Sequence, residues 1–256
     1  MITKLDSNYH NKLMEYLKQE PEFNLFIIGD IYRYGYKNYF FNIWADININ
    51  GDIDGVLVKY FEFVTVYSNS IVNINEFYNV IKDMQIYEIS GKSEIAESLA
   101  KKMNMPKIRR VNFCKLEKNT YLNMDSRDKN IKKIKHRNLR KIVHLYSIID
   151  EFENTSVDCI KNGLKTGRGY YIDINKKAVA MAKSTAENYT HAMIVGVGTH
   201  PLFRQKGYAS KCITKLCREL LNENKIPCLF YDNEDAGKLY KKIGFEKIGN
   251  WSICSR

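Results

Sequence analysis

Proline is scarce, with four in 256 residues. Glycine/serine-rich tracts and low-complexity runs are missing as well. Proline-rich spacers and flexible linkers are therefore excluded, and any domain boundary must be read from pattern. No stretch approaches the roughly 18 apolar residues that would cross a bilayer. The polar, helix-like opening MITKLDSNYHNKLMEYLKQEPE lacks the apolar centre of a secretion signal. A cytoplasmic protein without a membrane partner is expected. The six cysteines (Cys114, Cys159, Cys212, Cys217, Cys228 and Cys254) form no CxxC pair, and none stands beside histidines at zinc-like spacing. They are expected to be buried free thiols, and no metal is expected. A complete Walker A pattern and a GxGxxG motif are both missing, which argues against nucleotide hydrolysis and dinucleotide binding.

What is present describes an ordinary globular chain, 45% hydrophobic and 27% charged. Its length suits one large or two modest domains with a real core. The net charge of +11 favours anionic partners: nucleic acid, a membrane surface or a phosphorylated ligand. Eight of its cations lie in the run Arg127–Lys141. Apolar Ile131, Ile134, Leu139 and Ile142 fit a strand followed by a helix there, so the run reads as a solvated face. Nucleic acid is not the expected partner, although an RNA- or ribosome-directed module using 127–141 is an alternative.

The polar stretch NTYLNMDSRD, residues 119–128, breaks the apolar periodicity and divides the chain into 1–118 and 128–256. In the first half the pattern predicts helices over 10–18 and 23–34, and strands over 40–49, 55–60 and 63–68. A helix at 75–84, a strand at 85–90, a helix at 93–103 capped by Ser93 and a strand at 110–116 follow. The second half predicts a strand at 130–135, helices at 139–152 and 156–165, and strands at 169–174, 178–186 and 191–198. A long helix at 207–224, a strand at 228–231 and a helix at 234–243 come next. A closing hairpin of 245–248 and 251–254 is expected to turn at Gly249-Asn250. Both halves run meander, helix, strand, helix, strand, which suggests a duplication.

The informative stretch is Val195-Gly196-Val197-Gly198-Thr199-His200-Pro201-Leu202-Phe203-Arg204-Gln205-Lys206-Gly207-Tyr208-Ala209-Ser210. An apolar strand enters a short loop that turns at Gly207 into a helix. A helix start offers unpaired N–H groups and a positive dipole end, and glycine lets a phosphate approach the backbone. Arg204, Lys206 and Ser210 add donors. The product is an anion site suited to a pyrophosphate. The corresponding stretch of the first half, Tyr67-Ser68-Asn69-Ser70-Ile71-Val72-Asn73-Ile74-Asn75, has no glycine, arginine or lysine and is not expected to bind one.

Arg204-Gln205-Lys206-Gly207-Tyr208-Ala209 resembles the Q/R-x-x-G-x-G/A signature of the GNAT superfamily of N-acetyltransferases. Val197, Thr199, Pro201 and Arg204 fit the preceding spacing. Asn233, Ala236, Leu239-Tyr240 and Ile243-Gly244-Phe245 resemble the family's N…A..LY..LGF segment. The resemblance covers about residues 130–256. It implies an α/β (α+β) fold of tandem GNAT-like domains, each a mixed, mostly antiparallel sheet flanked by helices, the first degenerate and the second catalytic. It also implies acetyl-CoA as acyl donor and direct transfer to a small amine or peptide amine, by a monomer or homodimer. Main-chain groups of Val197, Gly198 and Thr199 would pair with the pantetheine arm. The segment Arg204, Gln205, Lys206, Gly207, Tyr208, Ala209 and Ser210 would hold the pyrophosphate, and Asn233 would bond the cofactor near the pantetheine. Tyr240 would protonate the departing thiolate.

The base that frees the acceptor amine is harder to find. Many relatives carry a glutamate on the strand before the loop, whereas His191-Ala192-Met193-Ile194-Val195-Gly196 has no carboxylate. Glu187 and His191 are the nearest titratable candidates, with Glu187 taken as the catalytic one. That absence motivates the alternative of a non-catalytic acyl-CoA-binding regulatory protein.

Overall fold

A computed structural model describes residues 1–70, 72–118, 129–152 and 156–256. The expected boundary at 119–128 lies outside the described residues. The chain forms two compact units, Met1–Phe113 with Ile248–Arg256, and Cys114–Lys247. Residues 248–256, expected in the second domain, group with the first.

The first unit contains β1 (Ile2–Lys4), α1 (His10–Leu17), α2 (Leu25–Tyr34), β2 (Phe41–Ile47), β3 (Ile53–Tyr60), β4 (Phe63–Tyr67), α3 (Ile74–Ile81), β5 (Glu88–Lys92) and α4 (Ser93–Lys102). β6 (Lys107–Lys115) then carries the chain from the first unit into the second. The second unit contains β7 (Ile131–Lys133), α5 (Leu139–Tyr146), α6 (Val157–Gly163), β8 (Gly169–Ile174), β9 (Lys177–Thr185), β10 (His191–Thr199), α7 (Tyr208–Asn222), β11 (Ile226–Tyr231) and α8 (Glu234–Ile243). The last strand is β12 (Glu246–Ser255).

In the first unit the strand order is β1-β2-β3-β4-β5-β12, antiparallel except for the parallel pair β4–β5. That pair stays in register from Phe63↔Glu88 to Val66↔Gly91. A Cβ on Gly91 would stand 2.2 Å from the Val66 carbonyl oxygen, so the strands are closed to the end. α3 starts under a side-chain cap, with Asn73 Oδ1 accepting from the Asn75 N–H at 3.1 Å. The parallel strands of this unit thus stay paired, and the helix that follows β4 starts under a side-chain cap. The triplet Gly91-Lys92-Ser93 joins β5 to α4 and matches the tail of a Walker A pattern. Ile86 stands where that pattern needs its first glycine, and Lys92 is paired with Glu20.

Two expectations for this unit need correction. Ser93 is the first helical residue rather than the cap, and its Oγ accepts from Ser252 Oγ at 2.8 Å. The closing hairpin is one continuous strand. Gly249 makes no turn, because a Cβ there would stand 2.8 Å from the Phe23 ring. It is a packing glycine, and β12 runs straight on to pair with β5 from Trp251↔Lys92 to Ser255↔Glu88.

The second unit orders its strands β11-β10-β9-β8-β7, antiparallel except for β10–β11. α7 buries Cys212, Ile213, Leu216, Cys217 and Leu220 at helical spacing against Ala180, Ala182 and Ile194 on one face of the sheet. Each large side chain so buried contributes roughly 1.5–3 kcal/mol. α5 covers the other face, with Leu139, Ile142, Leu145 and Tyr146 against Tyr171 and Met181. It stops at Tyr146, short of the expected 152, and a 3₁₀ turn covers Asp150–Phe152. Five cysteines are buried, while Cys159, expected inside, is exposed.

Candidate active site

β10 is where the second unit departs from regular sheet. Its parallel register with β11 runs from His191↔Ile226 to Ile194↔Leu229 and goes no further, although β10 continues to Thr199 and β11 to Tyr231. On its other side β10 stays with β9, pairing Gly198↔Met181 and Thr199↔Ala180 after a register shift between Val195 and Gly198. One extra residue on β10 makes a bulge, with Gly196 at φ +59°. Burial changes at the same point. His191 to Ile194 are buried, and Val195 to Thr199 are half-exposed. The two parallel strands thus part, and the main chain of Val197, Gly198 and Thr199 borders the opening.

Beyond Thr199 a 3₁₀ turn, Pro201–Phe203, leads to Arg204 and then to two left-handed residues, Gln205 (φ +64°) and Gly207 (φ +72°). A left-handed glutamine costs about 1–2 kcal/mol and persists because the surrounding turn fixes it. Gly207 is the N-cap of α7. It supplies no side-chain hydrogen bond, and a Cβ placed on it would meet nothing within 4 Å. The helix therefore presents its start, with Tyr208 as first residue, beneath open space. Lys206 lies 5.3 Å over the Phe203 ring, and Arg204 pairs with Glu151 at 3.3 Å across exposed surface. The cations beside the opening are thus held only lightly and can turn toward an anion.

α8 carries the remaining expected residues. Asn233 is its N-cap, Oδ1 accepting from the N–H groups of Asp235 (2.9 Å) and Ala236 (3.1 Å). Tyr240 is 7% exposed, between Tyr231 and Phe245 at ring distances of 5.8 and 5.9 Å. Burial pushes its phenol up to about 12, with a smaller push from Cys217.

Glu187 and His191 sit elsewhere. His191 opens β10, about 20 Å from Val197 at roughly 3.3 Å per residue, and Glu187 lies in the turn before that strand. Glu187 accepts from Arg168 at 2.7 and 3.1 Å, from Ser184 at 2.5 Å and from Lys225 at 3.2 Å. Arg168 also holds Glu223. Burial opposes the charge on Glu187, but Arg168, Ser184 and Lys225 outweigh it and leave the carboxyl below its ordinary range. Arg168 brings Glu223 down to about 2. Such a carboxylate is a weak base. Arg168, Glu187 and Lys225 line a cleft of about 600 Å³ at this end of the unit. His191 is buried, with Nδ1 2.8 Å from Thr190 Oγ1.

The cluster reads as structural and predicts a pH-dependent stability. Both carboxyls titrate lower folded than unfolded, so their contribution is present above about pH 4.3 and is lost as pH falls through the folded values. Arg168→Met is expected to cost about 2 kcal/mol at pH 7 in urea denaturation. The difference from the parent should shrink steadily between about pH 5 and pH 2. A pH-independent loss would contradict this account.

Lys183 is a further residue of this region, one that the sequence pattern does not single out. It lies in β9 directly across from Val195 and is 6% exposed among buried alanine, valine and methionine. Its Nζ stands 5.6 Å over the Tyr146 ring. The only signal was one lysine within the apolar run Ala178-Val179-Ala180-Met181-Ala182-Lys183.

A parted parallel pair, a bulge at the parting and a glycine-started helix directly after it, on a mixed sheet, define the N-acyltransferase class of fold. The chain belongs to the GNAT acetyltransferase family, whose sequence profile matches residues 38–254. No curated protein matches the sequence. Solved structures share the fold at low identity. A Drosophila protein superposes with a TM-score of 0.71 at 10% identity, over 100% of this chain and 98% of its own. A GCN5-related N-acetyltransferase from Sphaerobacter thermophilus gives 0.64 at 10%, over 100% and 95%. A tandem GNAT protein from the clavulanic acid biosynthesis pathway gives 0.61 at 10%, over 100% and 98%. Among the described residues no helix is long and apolar enough to cross a membrane, and no three His, Cys, Asp or Glu side chains gather as metal ligands.

Proposed function

We propose that the second domain transfers an acetyl group from acetyl-CoA to a primary amine, in the cytoplasm, and that the first is a non-catalytic partner. The observation that carries this is the uncapped start of α7 at Gly207, open above and reached directly from the parted end of β10. N–H groups of residues 205–210 hold the pyrophosphate, with Arg204 and Lys206 beside them. Main-chain groups of Val197, Gly198 and Thr199 take the pantetheine as an added strand where β11 has left β10. Asn233 bonds the same arm through the amide nitrogen its cap leaves over. When bound, acetyl-CoA supplies an activated acyl group that an uncharged amine can attack. Tyr240, held protonated by burial, gives the sulfur its proton.

Glu187 takes no part in this reading, because Arg168 and Lys225 hold it as an anion in the turn before β10. The basic run 127–141 needs no nucleic acid to explain two of its cations, since Lys132 and Lys141 both pair with Asp173.

Calorimetric titration with acetyl-CoA, followed by thiol release over a panel of amines, tests the reading. Saturable binding at one site and release with at least one amine are expected. No heat with acetyl-CoA overturns it. Binding without release for any amine points to a non-catalytic acyl-CoA-binding regulator.

A further inference from the structure

The acyl-transfer reading leaves one step without a residue. Most primary amines are protonated at neutral pH, so a group near the thioester must take a proton before attack. β10 carries no carboxylate, and Glu187 is both distant and paired.

Lys183 lies where such a group is needed. It pairs with Val195, the residue at which β10 enters its bulge. Glycines admit it along its whole length. A Cβ on Gly169 would stand 2.9 Å from Lys183 Cβ, one on Gly196 3.1 Å from Cε, and one on Gly163 3.2 Å from Nζ. Three elements, β8, β10 and α6, thus each omit the atom that would collide with this side chain. The same bulge glycine admits Tyr146, whose hydroxyl would stand 2.2 Å from a Cβ at Gly196. The stem of Lys183 therefore passes the bulge of the parted strand at Cε, and its amino group lies next beside Gly163 of α6.

Among the described residues, the titratable groups facing Lys183 are Tyr146 from α5 and Cys159 from α6. β8 sets Gly169 beside it, and β10 sets Val195 and Gly196 beside it. Among the described residues no carboxylate pairs with it. A buried ammonium without a counter-ion favours its neutral form, which carries a lone pair. Burial accordingly lowers the Lys183 pKa, opposed by a smaller effect of Cys159.

We propose that Lys183 takes the proton from the acceptor's ammonium group at the Gly196 bulge; this rests on the acyl-transfer reading above. One proton passes from the ammonium to Lys183 Nζ and from there to solvent. The freed nitrogen pair forms the new bond to the acyl carbon as the carbon–sulfur bond breaks. The sulfur takes its proton from Tyr240, and the second proton leaving the nitrogen restores the phenol. The net release is one proton per acetyl group transferred.

Lys183→Met keeps a long unbranched side chain, and Lys183→Arg keeps the charge but holds its proton at every accessible pH. Both are expected to lower kcat about 30-fold, since water can partly replace a positioned base. The acidic limb of the kcat/KM profile should disappear, and acetyl-CoA affinity by calorimetry should stay unchanged. An NMR titration of ¹⁵N-lysine protein supplies a readout independent of turnover, with Lys183 expected to titrate below the other lysines. A Lys183 that titrates with the rest overturns the proposal. So does an arginine variant that restores the rate, which would make the residue a fixed charge for an anionic acceptor. If the parent binds and turns over while Lys183→Met keeps the rate and the limb, the proposal falls and the transfer reading stands. If the parent binds no acetyl-CoA, both fall.

Discussion

Tyr240→Phe is expected to lower kcat about 10³-fold while leaving the affinity for acetyl-CoA unchanged, within the range a positioned general acid contributes. Tyr240 reaches its place because α8 turns it inward, one helical turn from the Gly244 that ends the helix in a left-handed conformation. Tyr231 and Phe245 pack on either side of the ring, and burial keeps the phenol protonated up to about 12. It therefore carries its proton across the whole working range. Removing one oxygen conserves the volume of the ring, so the fold should be kept and the packing disturbed little. Thiol release under single-turnover conditions measures the effect, and melting of parent and variant checks the fold. A variant that retains kcat within about threefold would remove Tyr240 from the mechanism, since even a modest acid contributes about 10²-fold.

The parts of this site legible in the sequence are those where the backbone dictates the residue. A left-handed helix start requires glycine at 207, and the turn before it follows from Pro201 in a short polar loop. The helix cap follows from Asn233 ahead of Glu234-Asp235. Each is a local rule with a local signature. The parting of β10 from β11 is not local. It depends on where two strands 35 residues apart in sequence stop pairing, Ile194 and Leu229, and nothing in either strand announces the last pair. Lys183 stayed hidden for a similar reason. Alternation explains a lysine near a strand end as solvated, and its burial depends on Gly163, Gly169 and Gly196, contributed by three separate elements. Gly249-Asn250 misled in the opposite sense. The dipeptide is a good turn, but Phe23, more than 200 residues earlier, occupies the space that a Cβ at 249 would need. Where the meaning of a glycine lies in the neighbour it admits, spacing along the chain does not reveal it.

Gly207→Asp separates folding from ligand binding and should give a comparably large effect. Aspartate is among the preferred N-cap residues, so its carboxylate can accept from the first N–H groups of α7 and partly offset the cost of about 1–2 kcal/mol for a side chain in the left-handed region. α7 is otherwise held by Cys212, Ile213, Leu216, Cys217 and Leu220, which the substitution does not touch. The fold should survive with little change in melting temperature. The same carboxylate fills the open space above residue 207 and places a negative charge where the pyrophosphate is to lie. At about 4 Å and an effective dielectric constant of about 20, the repulsion is about 4 kcal/mol. That corresponds to about a 10³-fold loss of affinity for acetyl-CoA, read by calorimetry. Gly207→Ala serves as the control, since it adds a methyl group and left-handed strain but no charge and no cap, and should lose only about tenfold. If the aspartate variant binds acetyl-CoA as tightly as the parent, the diphosphate does not lie on the start of α7, and the transfer reading loses its anchor.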